Sequence, residues 1–205
     1  SSLGAHGIFV QGALSGRVEN NQVSASGQTG LILRQCSDLT VAGNTVSTSG
    51  NGGILIGIDE DAPVGRDFIV TGNSVVESRT AGGINIRGIG AIQVGNNTVT
   101  DSDGSGIALD GSAGVLVPTV TSNAVRQHAA NGVFIRAAAT GTVQQNTAED
   151  NGGVGLLLLE SADVSISDNQ VHRNAEGGIG LNSDLMAGES GVDCVLDDNQ
   201  LSHNG

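Results

Sequence analysis

The chain has 205 residues, 33 of them glycine, and carries 21 acids against 8 arginines and no lysine, for a net charge of −13. Hydrophobic content of 38% with charged content of 14% excludes a disordered chain, which combines low hydrophobicity with high charge, and the glycine share is too low for a collagen. No apolar run approaches the length of a membrane-spanning helix, and a surface this acidic repels nucleic acid and anionic lipid.

Eight units follow one another along the chain. Each opens on a glycine and alternating apolar residues, beginning at Gly7, Gly30, Gly53, Gly83, Gly106, Gly132, Gly155 and Gly178. The spacings are 23, 23, 30, 23, 26, 23 and 23 residues. This run predicts a first short strand. A second strand is predicted around Val18, Val41, Val70, Val94, Val120, Val143, Ile166 and Leu196, and a third around Val23, Val46, Val75, Val99, Val125, Ala148, Val171 and Leu201. The alternation puts these residues on one face, and β-branched side chains suit a pleated surface. Between the second and third strands stands an asparagine in every unit: Asn21, Asn44, Asn73, Asn97, Asn123, Asn146, Asn169 and Asn199.

Three short strands per unit close one coil of a parallel β-helix, an all-β solenoid of about eight coils. Stacked coils place each asparagine over the next, and a carboxamide both donates and accepts, so a buried ladder of amides is expected at that turn. Residues 1–205 read as a single domain, a segment of a longer solenoid. Cys36 and Cys194 fall six coils apart, roughly 29 Å at about 4.8 Å per coil, and are expected to be free thiols. His6, His128, His172 and His203 fall in turns without metal-ligand spacing.

The Gly-Ile-x-Val strand and the Asn-x-Val turn resemble those of right-handed parallel β-helix repeat proteins, the superfamily of pectate lyases, polygalacturonases, alginate epimerases, phage tailspikes and many surface proteins. The resemblance covers essentially the whole chain. It implies a secreted or cell-surface, bacterial-type protein, and it places a groove on the face made by the first strand. It specifies fold and not chemistry, because the superfamily holds enzymes and inert stalks alike.

On that face the outward residues form two columns. One is Phe9, Ile32, Leu55, Asn85, Ala108, Phe134, Leu157 and Gly180. Its apolar character suggests a cover, either a loop, an adjoining domain or a second copy of the chain. The other is Gln11, Arg34, Gly57, Arg87, Asp110, Arg136, Leu159 and Asn182. Here Arg87, Asp110 and Arg136 are expected to touch. Arginine grips a carboxylate with two parallel hydrogen bonds, so Arg34, Arg87, Asp110, Phe134 and Arg136 are the candidates for binding an anionic polysaccharide. Arg87, Asp110 and Arg136 are the catalytic candidates, and the resemblance adds that pectate lyases use an arginine as base in such a groove.

Insertions follow the first strand in units three, five and eight. The insertion of unit three brings Asp59, Glu60 and Asp61 together, hard oxygens of the kind Ca²⁺ takes, without the spacing of an EF-hand loop. Arg126, Glu149 and His172 share one outward column and Asp150 and Arg173 another, which predicts salt bridges between coils. Without lysine or tyrosine, and without the Asp-Pro-His motif of alginate epimerases, the segment lacks usual partners for uronate chemistry. Three readings follow: a rigid, polysaccharide-facing scaffold with an incomplete active site, a polysaccharide lyase or C5-epimerase domain, or an oligomeric stalk or adhesin.

Overall fold

A computed structural model describes residues 4–57, 65–182 and 194–205. The described chain is a parallel β-solenoid with three faces. The first face stacks Ile8–Gln11, Leu31–Arg34, Gly52–Ile56, the start of Gly82–Gly95, Ile107–Asp110, Val133–Arg136, Val154–Leu159 and Gly177–Asn182. The second stacks Gly16–Glu19, Leu39–Ala42, Ile69–Thr71, the end of Gly82–Gly95, Leu116–Thr121, Gly141–Gln144, Val164–Ser167 and Val195–Asp197. The third stacks Gln22–Ser24, Thr45–Ser49, Ser74–Ser78, Thr98–Thr100, Ala124–Arg126, Thr147–Glu149, Gln170–His172 and Gln200–Ser202. Each face thus holds eight strands joined by seven parallel pairings, so the stack makes about seven full turns.

The register is that of the repeat. Val18, Val41, Val70, Val94, Val120, Val143, Ile166 and Leu196 pair in sequence down the second face. Val23, Val46, Val75, Val99, Val125, Ala148, Val171 and Leu201 do so down the third. In the middle coils these side chains are fully buried, each valine or isoleucine stabilising the fold by about 1.5–3 kcal/mol. Leu196 and Leu201, on the last coil described, are about half exposed.

The expected amide ladder runs unbroken. The Nδ2 of Asn21, Asn44, Asn73, Asn97, Asn123, Asn146 and Asn169 donates to Oδ1 of the next asparagine at 2.9–3.0 Å. Each of those oxygens also accepts the preceding asparagine's backbone N–H. Asn44 to Asn169 are buried, whereas Asn21 and Asn199 at the two ends are half-buried. The residue before each ladder asparagine is left-handed, at φ 57° in Asn20, 56° in Ser122 and 56° in Gln145. That conformation strains Ser122 and Gln145, and the ladder bonds on either side offset the strain.

A second polar column, which the sequence reading does not contain, lines the turn after the third strand. It is Ser26, Ser49, Ser78, Ser102, His128, Asn151, Asn174 and, half-buried, Asn204. This column explains the opening glycines. A Cβ on Gly30 would overlap Val46 and come within 2.8 Å of the Ser49 hydroxyl, and a Cβ on Gly155 would overlap Val171 and reach within 2.7 Å of Asn174.

Candidate functional site

The outward columns of the first face lie where the sequence puts them, with Arg87, Asp110 and Arg136 directly opposite one another on three successive strands. Their ionic contacts differ from expectation. Arg136 turns away from Asp110 to Glu160, with Nε donating to Oε2 and Nη2 to Oε1, both at 3.1 Å. The Glu160 hydrogen bonds, then its charge, hold the Arg136 guanidinium above its ordinary pKa. Asp110 instead accepts the Ser112 N–H at 2.9 Å. Arg87 is half-buried, forms no ion pair with a described residue, and its Nε is buried without a hydrogen-bond partner. The three charges therefore do not form an Arg–Asp–Arg ladder.

Glu160 escapes the sequence reading because it follows the strand at a left-handed turn, φ 50°, where alternation stops. The signal available is its place 24 residues after Arg136.

Arg34 lies over the Phe9 ring at 5.9 Å from the centroid, and His6 stacks on the same ring at 6.0 Å. Phe9 is 51% exposed, while Phe134 is half-buried opposite Leu157. Ile32 and Leu55 are buried. That part of the apolar column is therefore not an exposed stripe. The described strands that flank residues 58–64 and 183–193, and the turn of residues 111–115 in unit five with residues 112–115 exposed, meet at the same corner, between the first and second faces. Asp59, Glu60 and Asp61 lie outside the described residues.

Away from this face, Arg126 pairs with Glu149 at 3.1 Å, and Arg173 binds Asp150 at 2.7 and 3.0 Å and also contacts Glu149. Arg173 holds the Asp150 carboxyl below its usual pKa. These are the coil-to-coil bridges the columns predict. His172 Nδ1 lies 2.8 Å from the Ser202 hydroxyl. Cys36, buried, and Cys194, half-buried, are both free.

Two family models match, each over more than half of the chain. The model described as "Right handed beta helix region" matches residues 82–205. The chain belongs to the right-handed β-helix family. Residues 1–117 of this β-helix also match the model described as "Periplasmic copper-binding protein (NosD)". Among the described residues no three His, Cys, Asp or Glu come together to hold a metal ion.

Among solved structures, the β-helix resembles the periplasmic alginate epimerase AlgG at TM-score 0.67 and 17% identity, over 93% of this chain and 51% of that one. It resembles a mannuronan C-5 epimerase A-module from Azotobacter vinelandii at TM-score 0.50 and 10% identity, over 93% of this chain and 57% of that one. At such identities the likeness is one of fold. The chain spans about half the length of these structures. Comparison with curated proteins gives no match.

Proposed function

We propose that this β-helix is a rigid extracytoplasmic scaffold whose first face meets an acidic polysaccharide, and that its described residues supply an anion site without a full set of acid and base. The observation that carries the reading is Arg87, a half-buried guanidinium on the outward column that no described carboxylate engages. Arg34 and Arg136 stand two coils to either side, about 10 Å away along the axis. A uronate carboxylate would take both donors of one Arg87 edge. The extracytoplasmic setting draws support from the periplasmic proteins named in the comparisons.

An acid–base set is harder to assemble here. Asp110 is the one acid of the outward column, and its carboxylate already accepts the Ser112 N–H. A guanidinium is a permanent cation with a planar fork of donors, which suits it to bind a carboxylate rather than to take a proton.

Calorimetric titration with oligomannuronate, oligogalacturonate and a neutral glucan tests the reading. The uronates are expected to bind, the glucan not, and Arg87→Ala to weaken uronate binding about tenfold or more. Equal binding of the glucan, or an unchanged Arg87→Ala protein, overturns it. A second reading, a lyase or epimerase domain, is favoured by the fold shared with two epimerases. Unsaturated-uronate absorbance, or C5 inversion seen by NMR, abolished in Arg87→Ala, would put that reading in its place.

A further inference from the structure

The second polar column changes character half-way along the solenoid, and the change falls on one residue. On one side stand serines, of which Ser49, Ser78 and Ser102 have buried hydroxyls without a hydrogen bond. On the other stand Asn151 and Asn174, whose carboxamides accept from the coil before and donate to the coil after or to a strand carbonyl. His128 stands between them, 2% exposed. Its Nδ1 accepts the Ser102 N–H at 3.2 Å. The ring proton therefore sits on Nε2, which donates to the Val99 carbonyl at 3.1 Å. The His128 N–H donates to Asn151 Oδ1 at 3.1 Å. The ring lies against Gly106, where a Cβ would come within 2.6 Å of both Cδ2 and Nε2.

Directly outside this turn is a groove of about 460 Å³ lined by Asp101, Ser102, Asp103, Gln127, His128, Ala129, Asp150 and Gly152. Three of those residues are carboxylates.

We propose that His128 makes this corner an acid-sensitive hinge, in which the neutral ring is held inside the column and the protonated ring moves out into the acidic groove. The second proton can go only to Nδ1, the atom that accepts from Ser102. Two N–H groups then face each other across the stack, and a cation stands in a corner with little water. Burial holds the ring's pKa down, from 6.5 to about 4, against the opposing pull of the Val99 hydrogen bond and of Asp101. The charged groups around the turn are Asp101 and Asp103 on the coil before, Arg126 on its own coil, and Glu149 and Asp150 on the coil after. Glu149 and Asp150 are engaged by Arg126 and Arg173, which leaves Asp101 and Asp103 to attract the emerging cation. The Asn21–Asn199 ladder lies at a different corner and contains no titrating group, so it keeps the coils in register.

The sign follows from proton counting. The open form binds the proton with an ordinary affinity and the closed form more weakly, so closure is at full strength above about pH 6.5, weakens as pH falls to about 4, and changes no further below that. The open population at this corner is expected to rise about 100-fold between pH 7 and pH 4.

The test is nitrogen-15 NMR of the whole chain from pH 7 to pH 3.5, with amide exchange compared at each pH against His128→Asn. That variant carries the carboxamide found at Asn151 and Asn174 and cannot titrate. The expected results are an Nε2–H tautomer at neutral pH, a titration midpoint well below 6.5, and about 100-fold greater loss of protection at Ser102 and residues 128–132 in the wild type than in the variant. Asn97 and Asn123 amides stay protected in both. A midpoint near 6.5, or the same loss in both proteins, overturns the proposal. If His128→Asn does not fold, the wild-type titration together with the contrast between the Ser102 and Asn97 amides decides.

Discussion

Truncating one rung in the middle of the asparagine ladder should cost far more than truncating one at its end. Asn97 is 1% exposed. Its Oδ1 accepts from the Asn73 N–H at 2.9 Å and from Asn73 Nδ2 at 3.0 Å. Its Nδ2 donates to the Val70 carbonyl at 2.9 Å and to Asn123 Oδ1 at 3.0 Å. In Asn97→Ala the Asn73 side chain keeps the Val41 carbonyl and Asn123 Oδ1 keeps the Asn97 N–H. The buried Asn73 N–H keeps nothing, and such an orphan costs about 1–3 kcal/mol. With the remaining lost bonds the total comes to about 3 kcal/mol. Asn21→Ala removes bonds to the Glu19 carbonyl and to Asn44 Oδ1. That rung is half-buried, so water replaces much of what is lost and the cost is about 1 kcal/mol or less. Urea unfolding followed by far-UV circular dichroism measures the difference. In a stacked array each coil leans on its neighbours, so amide exchange around Asn73 should report the same damage locally. Equal shifts for the two variants, or an unshifted Asn97→Ala, would refute the account of the ladder.

The opening glycines make a second prediction. Gly83→Ala drives a methyl into Val99 and to within 2.6 Å of the Gly106 carbonyl, overpacking that costs about 1–3 kcal/mol, whereas Gly72→Asn at φ 63° puts in the residue that Asn20 and Asn96 already supply there and should be close to neutral; thermal melts of the two variants check the contrast. The thiols make a third. Cys194 should react with a thiol reagent in the folded protein and Cys36 only on unfolding, since Cys36 is 1% exposed with its Sγ against the Arg34 carbonyl at 3.1 Å. Two fast-reacting thiols in the native state would contradict that placement.

The fold is legible in the sequence because each coil obeys the same physical demands at the same spacing. A valine faces inward on the second and third faces, a carboxamide closes one turn, and a glycine gives way where the third-strand valine and the second polar column crowd the chain. The second column is equally regular, five residues after every ladder asparagine. It goes unread because the residue type changes from serine to histidine to asparagine, and only burial and hydrogen bonding show that these groups share one task. The candidate site is less legible. Alternation assigns Arg136 and Asp110 to one column, but partners are chosen by side-chain reach, and Glu160, sitting at a turn outside the alternation, reaches Arg136 with two bonds. The apolar column misleads for a related reason. Ile32 and Leu55 point outward by register, yet are buried all the same.

Where an anion would settle on so acidic a chain is decided by range. At physiological ionic strength charges are screened over about 8 Å, less than two coils at about 4.8 Å each. The net charge of −13 therefore sets a general repulsion that keeps polyanions off most of the surface, while contact depends on the few charges within two coils of the point of approach. Among the described residues of Arg87's own column those are Asp110 one coil away, held by the Ser112 N–H, Arg34 two coils away over the Phe9 ring, and Arg136 two coils away on the other side, already offset by Glu160. Arg126 and Arg173 are spent on Glu149 and Asp150, so they hold coils together instead of recruiting a ligand. The inward residues of every coil are committed to the core and to the two polar columns. Selection for binding can act only on outward positions, and there Arg87, half-sunk in the first face and paired with no described carboxylate, is the group on which the proposed anion site rests.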